Sequence, residues 1–185
     1  MTSTHDTSAV RPPAAVRLVE RLVEGRPTWD RLADRLDPTA RAARGEGAWR
    51  RLVTGEVLGH AAHPFLTDLP IGFFTSAAVL DLAGGTSARA AARRLVGAGL
   101  ATAPAAALTG LAEYAALDRR PRRVGAAHAL LNGASVGLYA ASWVVRPRNH
   151  RLGVGLGMTG LAVSGLSAYL GGHLAIGEKV GTTTG

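Results

Sequence analysis

Residues 152–176 read LGVGLGMTGLAVSGLSAYLGGHLAI, an apolar run without a charged side chain. A helix needs about 20 predominantly apolar residues to cross a hydrocarbon core of ~30 Å, and this run is long enough. Gly160, Ser164, Ala168 and Gly172 place a small residue at every fourth position. Because lipid offers no hydrophobic driving force between helices, small residues let helix backbones pack closely. The run therefore predicts a transmembrane helix packed against other helices.

Three further apolar segments precede this one, at about 65–82, 95–117 and 124–145. Short arginine-bearing loops separate the four segments, so that neighbouring segments are antiparallel. The second and third segments also carry small residues at every fourth position, as at Gly97, Ala101 and Ala105. We therefore predict an all-α fold, an integral membrane antiparallel four-helix bundle preceded by short amphipathic helices.

The region before the bundle is much more charged. Residues 14–56 alternate apolar and charged side chains at helical spacing, and Thr28 is a candidate cap for a second short helix. We expect these helices to lie on the membrane surface or to cover the mouth of the bundle. The predicted organisation is a disordered tail (1–13), amphipathic interfacial helices (14–56), a four-span domain (57–178) and a flexible C-terminal tail (179–185).

The charge pattern and the absence of cysteine narrow the classes of function. The formal net charge is +8, and Lys179 is the only lysine. The arginines flank apolar runs and form no basic stripe interleaved with aromatic residues, so nucleic-acid binding is not predicted. Without cysteine, this polypeptide cannot form a disulfide scaffold, a thiolate zinc site or a cysteine-ligated iron–sulfur cluster. Histidine, carboxylate, tyrosine and methionine remain as ligands.

The distribution of arginine predicts an orientation. Ten arginines precede the first apolar segment, four lie at 119–123 between the second and third, and three lie in each of the other two loops. Because cytoplasmic loops carry the excess of Lys and Arg, we expect both termini to be cytoplasmic.

Four histidines fall at one end of the predicted bundle. His60 and His63 precede the first segment, His128 lies just inside the third, and His173 lies near the end of the fourth. In an antiparallel bundle these positions share one side of the bilayer. Imidazole is a ligand for haem iron, zinc, copper and non-haem iron. The pattern therefore predicts one haem, or one mono- or dinuclear metal centre, with His128 and His173 as the favoured ligands and His60 and His63 as alternates.

Other polar residues fall near these histidines. On the third segment His128, Asn132, Ser135 and Tyr139 follow helical spacing and line one face. Asp68 is placed to orient an imidazole from the second shell of a site. The remaining members of the predicted second shell are Tyr169, four residues before His173, and Glu113, at the end of the second segment.

A more ordinary interpretation remains open. Histidines at helix ends can bond to lipid headgroups or loop carbonyls without any ligand, and Asp68 can cap free backbone donors at the start of its helix. No nucleophile–base set and no nucleotide-binding motif occurs, which argues against a catalytic enzyme.

Several motifs resemble an uncharacterised bacterial membrane family, domain of unknown function 2231. They are GHAAHPFLTDLPIG at 59–72, RVGAAH at 123–128 and AYLGGHL at 168–174, together with Asn132 and Tyr139. The resemblance covers about residues 57–176 and implies a four-span domain in a bacterial inner membrane. In some members a Rieske-type iron–sulfur domain follows. Since this chain lacks cysteine, the resemblance implies that any Rieske-type partner is a separate protein.

These observations lead to one leading hypothesis and two alternatives. The leading hypothesis is an inner-membrane electron-transfer subunit that binds haem b or a transition metal through histidine. The first alternative is a transport module for a metal ion or a proton, and the second is a structural membrane subunit without a cofactor. The lipid bilayer is the expected partner, and a homo-oligomer is left open.

Overall fold

The computed structural model describes residues 17, 18, 20–24, 26–172 and 174. The predicted tails at 1–13 and 179–185 lie outside the described residues. Within the described ranges the chain forms helices, turns and loops, and no strand. A short helical turn covers Glu20–Glu24 and a 3₁₀ turn covers Glu56–Leu58. The α-helices are α1 (Thr28–Arg44), α2 (Gly47–Thr54), α3 (Ala62–Ala83), α4 (Arg89–Tyr114), α5 (Arg119–Val145) and α6 (His150–Gly172).

The four long helices form the predicted bundle. α3 packs along α4 and α5 packs along α6, so the chain builds two antiparallel hairpins. The hairpins meet through α4 with α5 and through α3 with α6, which closes a ring of four helices. The predicted all-α four-helix bundle is confirmed.

Three of the four long helices are long and apolar enough to cross a membrane, namely α3, α4 and α6. α5 was also predicted to cross the membrane, but it is not apolar enough to be counted with these three helices. Polar residues such as His128, Asn132 and Ser135 lower its mean hydropathy, and their hydrogen bonds run to the interior of the bundle. Large apolar side chains such as Phe65 and Leu82 are exposed on the outer surface, where lipid can cover them.

Aromatic rings packed on glycines hold the middle of the bundle together. Phe74 on α3 stacks on Tyr139 of α5, with ring centroids 3.6 Å apart and planes 6° apart. Each ring also rests on a glycine of the second helix in its hairpin, Phe74 on Gly99 and Tyr139 on Gly160. A Cβ at Gly99 would collide with the Phe74 ring, whereas a Cβ at Gly160 would make a tight contact of 3.2 Å with the Tyr139 ring. The close packing of the helices therefore requires a glycine at position 99 and leaves little room at position 160.

A buried ion pair joins the hairpins at one end. Asp81, at the end of α3, and Arg146, just after α5, each have a side chain only 2% exposed. Ser142 accepts a further hydrogen bond from the Arg146 guanidinium. The sequence places Asp81 near a helix end, which suggests an interfacial carboxylate. The structure instead buries it, because Arg146 pairs with it.

α1 covers the other end of the bundle, where α4 ends and α5 begins. Its apolar face packs against the ends of those two helices through Leu32, Ala33, Leu36 and Ala40, which meet Leu111, Tyr114, Leu117 and Ala126. Arg44 donates to the carbonyl of Ala112, one of the free carbonyls at the end of α4. Of the two predicted locations for the amphipathic helices, α1 therefore takes the mouth of the bundle.

An ion pair holds the start of α1 against α5. Arg123 of α5 makes a two-point hydrogen-bonded ion pair with Asp30, with distances of 2.7 and 2.8 Å. The hydrogen bond from Arg123 lowers the pKa of Asp30 below its ordinary value. The prediction that Thr28 caps α1 is wrong, because Thr28 is already the first residue of the helix. Pro27 occupies the capping position, and it offers no side-chain hydrogen bond.

Candidate functional site

The bundle brings two of the predicted histidines together. The rings of His63 and His128 meet edge to face, with centroids 6.3 Å apart and an interplanar angle of 87°. His63 lies in the first turn of α3 and His128 in the third turn of α5, so each hairpin contributes one imidazole. The prediction that these residues share one end of the bundle is confirmed for this pair.

Main-chain contacts from the neighbouring helix fix the ring of His63. Its Nδ1 lies 2.9 Å from the carbonyl oxygen of Ala106 on α4. Because a carbonyl only accepts hydrogen bonds, Nδ1 carries the proton and Nε2 of the neutral ring has a free lone pair. The ring rests on Gly110, where a Cβ would lie 2.8 Å from the His63 Cε1 atom. The described hydrogen bonds of His63 include none to Nε2.

His128 is held in the same manner by α6. Its Nδ1 donates to the carbonyl oxygen of Ser167 at 2.8 Å, and its ring rests on Gly171. The Ser167 hydroxyl donates in turn to the carbonyl oxygen of His128. This side chain is fully buried, so the contact between the two helices excludes solvent.

The two imidazoles differ at Nε2. The side-chain amide of Asn132 lies 3.0 Å from Nε2 of His128 and donates to its lone pair. A proton or a metal ion can therefore reach this nitrogen only after the Asn132 side chain rotates away. His63 is the more available of the two bases.

Below the histidines, polar groups continue along one face of α5. They occur at alternating spacings of four and three residues, at His128, Asn132, Ser135, Tyr139, Ser142 and Arg146. We call this set the α5 stripe. Ser135 donates to the carbonyl oxygen of Gly160, and Ser142 donates to that of Gly153, so both face α6. The last four members of the stripe are buried.

The hydroxyl groups of the α5 stripe are not all satisfied. Ser135 and Ser164 hydroxyls are 2.6 Å apart and share a hydrogen bond. The buried Tyr139 hydroxyl lies beside Ser164 but has no hydrogen bond of ordinary length to a described residue. An unpaired buried hydroxyl is costly in a bundle interior, so the Tyr139 hydroxyl calls for a specific explanation.

The other predicted site residues lie in different surroundings. His60 is exposed in the turn before α3, and its Nδ1 lies 3.1 Å from the carbonyl oxygen of Ala61. Glu113 joins the site, since its carboxylate is 3.4 Å from the backbone nitrogen of His63. Asp68 and Tyr169 are exposed on α3 and α6. His173 lies outside the described residues.

The residues that hold the imidazoles carry no signal in the sequence that distinguishes them from other small residues of the helices. They are Ala106, Gly110, Ser167 and Gly171. Within the described residues no group of three or more His, Cys, Asp or Glu side chains is placed to hold a metal ion. His63 and His128 are therefore a pair without a described third ligand.

The fold and this interior define a class: a helical membrane protein whose two hairpins enclose a histidine pair and a polar stripe. The chain belongs to the family described as "Predicted membrane protein (DUF2231)", whose sequence model matches residues 59–184. This match confirms the resemblance identified from the motifs. No match was found among curated proteins or among solved structures.

Proposed function

We propose that this membrane protein is a proton-translocating module in which His63 and His128 form the proton-exchanging site. The observation that carries the proposal is the length of the α5 stripe. From His128 to Arg146 it rises about 27 Å at 1.5 Å per residue. That length is close to the ~30 Å of a hydrocarbon core. Polar groups inside a membrane are costly and are usually retained for function.

The chemistry of the stripe suits protons. Neutral His63 offers Nε2 as a base, while its Nδ1 proton remains donated to Ala106. A proton taken up at Nε2 gives an imidazolium, and its release from Nε2 restores the neutral ring. Hydroxyl groups such as those of Ser135 and Tyr139 both accept and donate, so each can pass a proton along the stripe. At the far end the Asp81 carboxylate is an acceptor once Arg146 moves.

The described conformation is closed. The stacked rings of Phe74 and Tyr139 fill the middle of the interior, and both side chains are buried. Transport therefore requires the two hairpins to separate at this contact. Because α5 pairs mainly with α6, and α3 with α4, each hairpin can move as a unit.

Reconstitution tests this proposal. Purified protein is placed in vesicles that contain a pH-sensitive dye, and a potassium gradient with valinomycin drives protons inward. We expect dye acidification with the unaltered protein and its loss in His63→Gln. The matched control is His60→Gln, which removes an exposed histidine three residues away. Flux equal to that of empty vesicles, or equal flux in all three proteins, would refute the proposal.

A second candidate, a haem- or metal-binding electron-transfer subunit, is favoured by one observation. Both imidazoles donate Nδ1–H to a main-chain carbonyl, which is the usual arrangement of a metal-ligating histidine that presents Nε2. His63 fits such a ligand without change, whereas His128 requires Asn132 to rotate. Bound haem or copper would supply one-electron chemistry, and a separate Rieske-type protein would be its redox partner.

An absorption spectrum separates the two candidates. A Soret band that shifts on dithionite reduction and is lost in His63→Gln supports haem, and stoichiometric metal in a colourless sample supports a metal centre. A colourless, metal-free protein that conducts protons supports the first proposal. A folded protein with none of these properties supports a structural subunit.

The location belongs to the proposal as well. The arginine-rich helix α1 covers the histidine end, and the positive-inside rule would place that end at the cytoplasmic face of a bacterial inner membrane. Both termini would then be cytoplasmic, whether the protein acts alone or as a homo-oligomer.

A further inference from the structure

The two hairpins make the same contacts at corresponding positions. The corresponding pairs are His63 with His128, Phe74 with Tyr139 and Asp81 with Arg146 on α3 and α5, and Gly99 with Gly160, Ala106 with Ser167 and Gly110 with Gly171 on α4 and α6. The α3–α5 pairs are all 65 residues apart, and the α4–α6 pairs are all 61 residues apart. One hairpin therefore repeats the other in register.

Corresponding residues of α3 and α5 also meet each other. The two histidines, the two aromatic rings and the two charged residues form three contacts along the bundle. When equivalent residues touch one another, a twofold axis lies between the repeats. The sequence carries the same signal, because Ala61-Ala62-His63 recurs as Ala126-Ala127-His128. The polar interior lies along this axis.

We propose that the membrane domain is a tandem repeat of one helical hairpin, and that the difference between Thr67 and Asn132 makes His63 the imidazole that exchanges a proton or binds a ligand. Thr67 and Asn132 occupy equivalent positions, four residues after their histidines. The identity of the exchanged species, a proton or another ligand, rests on the proposed function. The difference in reactivity between His63 and His128 does not depend on that function.

The difference follows from where each side chain donates. The Thr67 hydroxyl donates to the carbonyl oxygen of His63 at 2.7 Å, and so it leaves Nε2 free. The Asn132 amide donates to Nε2 of His128 at 3.0 Å. An imidazolium at His128 would present an N–H to this N–H donor, so His128 can bind a proton at Nε2 only when the Asn132 amide turns its oxygen toward the ring. Asn132 is thus a positioning residue that favours the neutral form of His128, whereas no such rearrangement is needed at His63.

The charged groups around His63 are few among the described contacts. Glu113 of α4 approaches its backbone nitrogen, and Arg44 of α1 lies within electrostatic reach of Glu113. His128 is the titratable neighbour on α5, and the α6 contacts of the pair, Ser167 and Gly171, do not titrate. On α3 itself, Asp68 is exposed. All of these remain unchanged when residues 67 and 132 are exchanged, so an exchange isolates the effect of Asn132.

The test is a swap of the two residues in the full-length chain. ¹⁵N-histidine NMR spectra of the protein in detergent are recorded over a pH series, with His63→Gln and His128→Gln for assignment. In the unaltered protein we expect one interior imidazole to titrate at Nε2 and to be lost in His63→Gln. In the double variant Thr67→Asn/Asn132→Thr, the titrating imidazole should survive His63→Gln and be lost in His128→Gln.

A second variant tests the same inference if the double variant does not fold. Asn132→Thr alone should free the second Nε2, so that two interior imidazoles titrate where one did before. Titration assigned to His128 in the unaltered protein, or a spectrum unchanged by Asn132→Thr, would overturn the inference. Vesicles without proton flux, together with the predicted NMR assignment, would refute the transport proposal and leave this inference intact.

Discussion

Asp81 and Arg146 face each other across the two hairpins with both oxygens of the carboxylate engaged. The Nη1–Oδ1 distance is 2.7 Å and the Nη2–Oδ2 distance is 2.5 Å. With both side chains 2% exposed, neither charge can be solvated by water if the other is removed. The pair therefore holds the end of α3 against the end of α5, opposite the histidines.

Removing one member of this pair should destabilise the bundle strongly. We expect Asp81→Asn to lower the free energy of unfolding by about 3–5 kcal/mol, because the Arg146 charge is left buried without a partner. Unfolding of the detergent-solubilised protein in increasing SDS measures the change. The double variant Asp81→Leu/Arg146→Met should recover most of the loss. A single variant as stable as the unaltered protein would contradict the assignment of a buried pair.

The aromatic stack gives a prediction with a control of the same residue type. Phe74 is 5% exposed against Tyr139, whereas Phe65 is 62% exposed on the outer surface. Replacing a buried Phe with Ala costs about 3–5 kcal/mol in soluble proteins. We expect the lower end of this range for Phe74→Ala, because lipid is as apolar as the ring and only the packing is lost. Phe65→Ala should leave the SDS unfolding midpoint unchanged, and equal effects would argue against the stack.

The glycine under His63 should not accept a larger side chain. A Cβ at Gly110 would lie 2.8 Å from Cε1 of His63, whereas a Cβ at Gly133 would meet nothing within 4 Å. We expect Gly110→Ala to cost about 1–3 kcal/mol through overpacking. It should also shift the ¹⁵N resonances of His63. Gly133→Ala should be neutral or stabilising by up to about 1 kcal/mol, through helix propensity. A His63 spectrum unaltered by Gly110→Ala would show that the ring lies elsewhere.

The Asp30–Arg123 pair should make the attachment of α1 sensitive to acid. Its hydrogen bond to Arg123 lowers the pKa of Asp30, so the folded state favours the charged carboxylate. The resulting stabilisation is present above the ordinary Asp pKa of about 3.9 and is lost as the pH falls below it. The Tm difference between the unaltered protein and Asp30→Asn should be small at neutral pH and vanish in acid. A Tm difference that grows as the pH falls would contradict the direction of the pKa shift of Asp30.

The fold was predictable because a hydrocarbon core demands apolar segments of defined length. The ends of the helices were not predictable in the same way. α4 begins at Arg89 and α5 at Arg119, several residues before the apolar segments, because arginine forms helices well although it is polar. Hydropathy falls at the first charged residue, whereas hydrogen bonding of the backbone continues beyond it.

Parts of the site could be predicted and parts could not. Topology alone brings His63 and His128 to one end of the bundle. The identity of the touching residues depends on the rotation of each helix about its axis, and hydropathy does not specify that rotation. The pairing of Asp81 with Arg146 is a long-range contact of the same kind. The recurrence of Ala-Ala-His at 61–63 and 126–128 is the sequence signal that would have revealed the repeat.

The decisive measurement for the role of the histidine pair is proton flux in vesicles that contain the purified protein. We expect valinomycin-driven acidification of the vesicle interior that is lost in His63→Gln and retained in His60→Gln. Flux that persists in His63→Gln at the rate of the unaltered protein, with both variants folded, would contradict the role of the histidine pair.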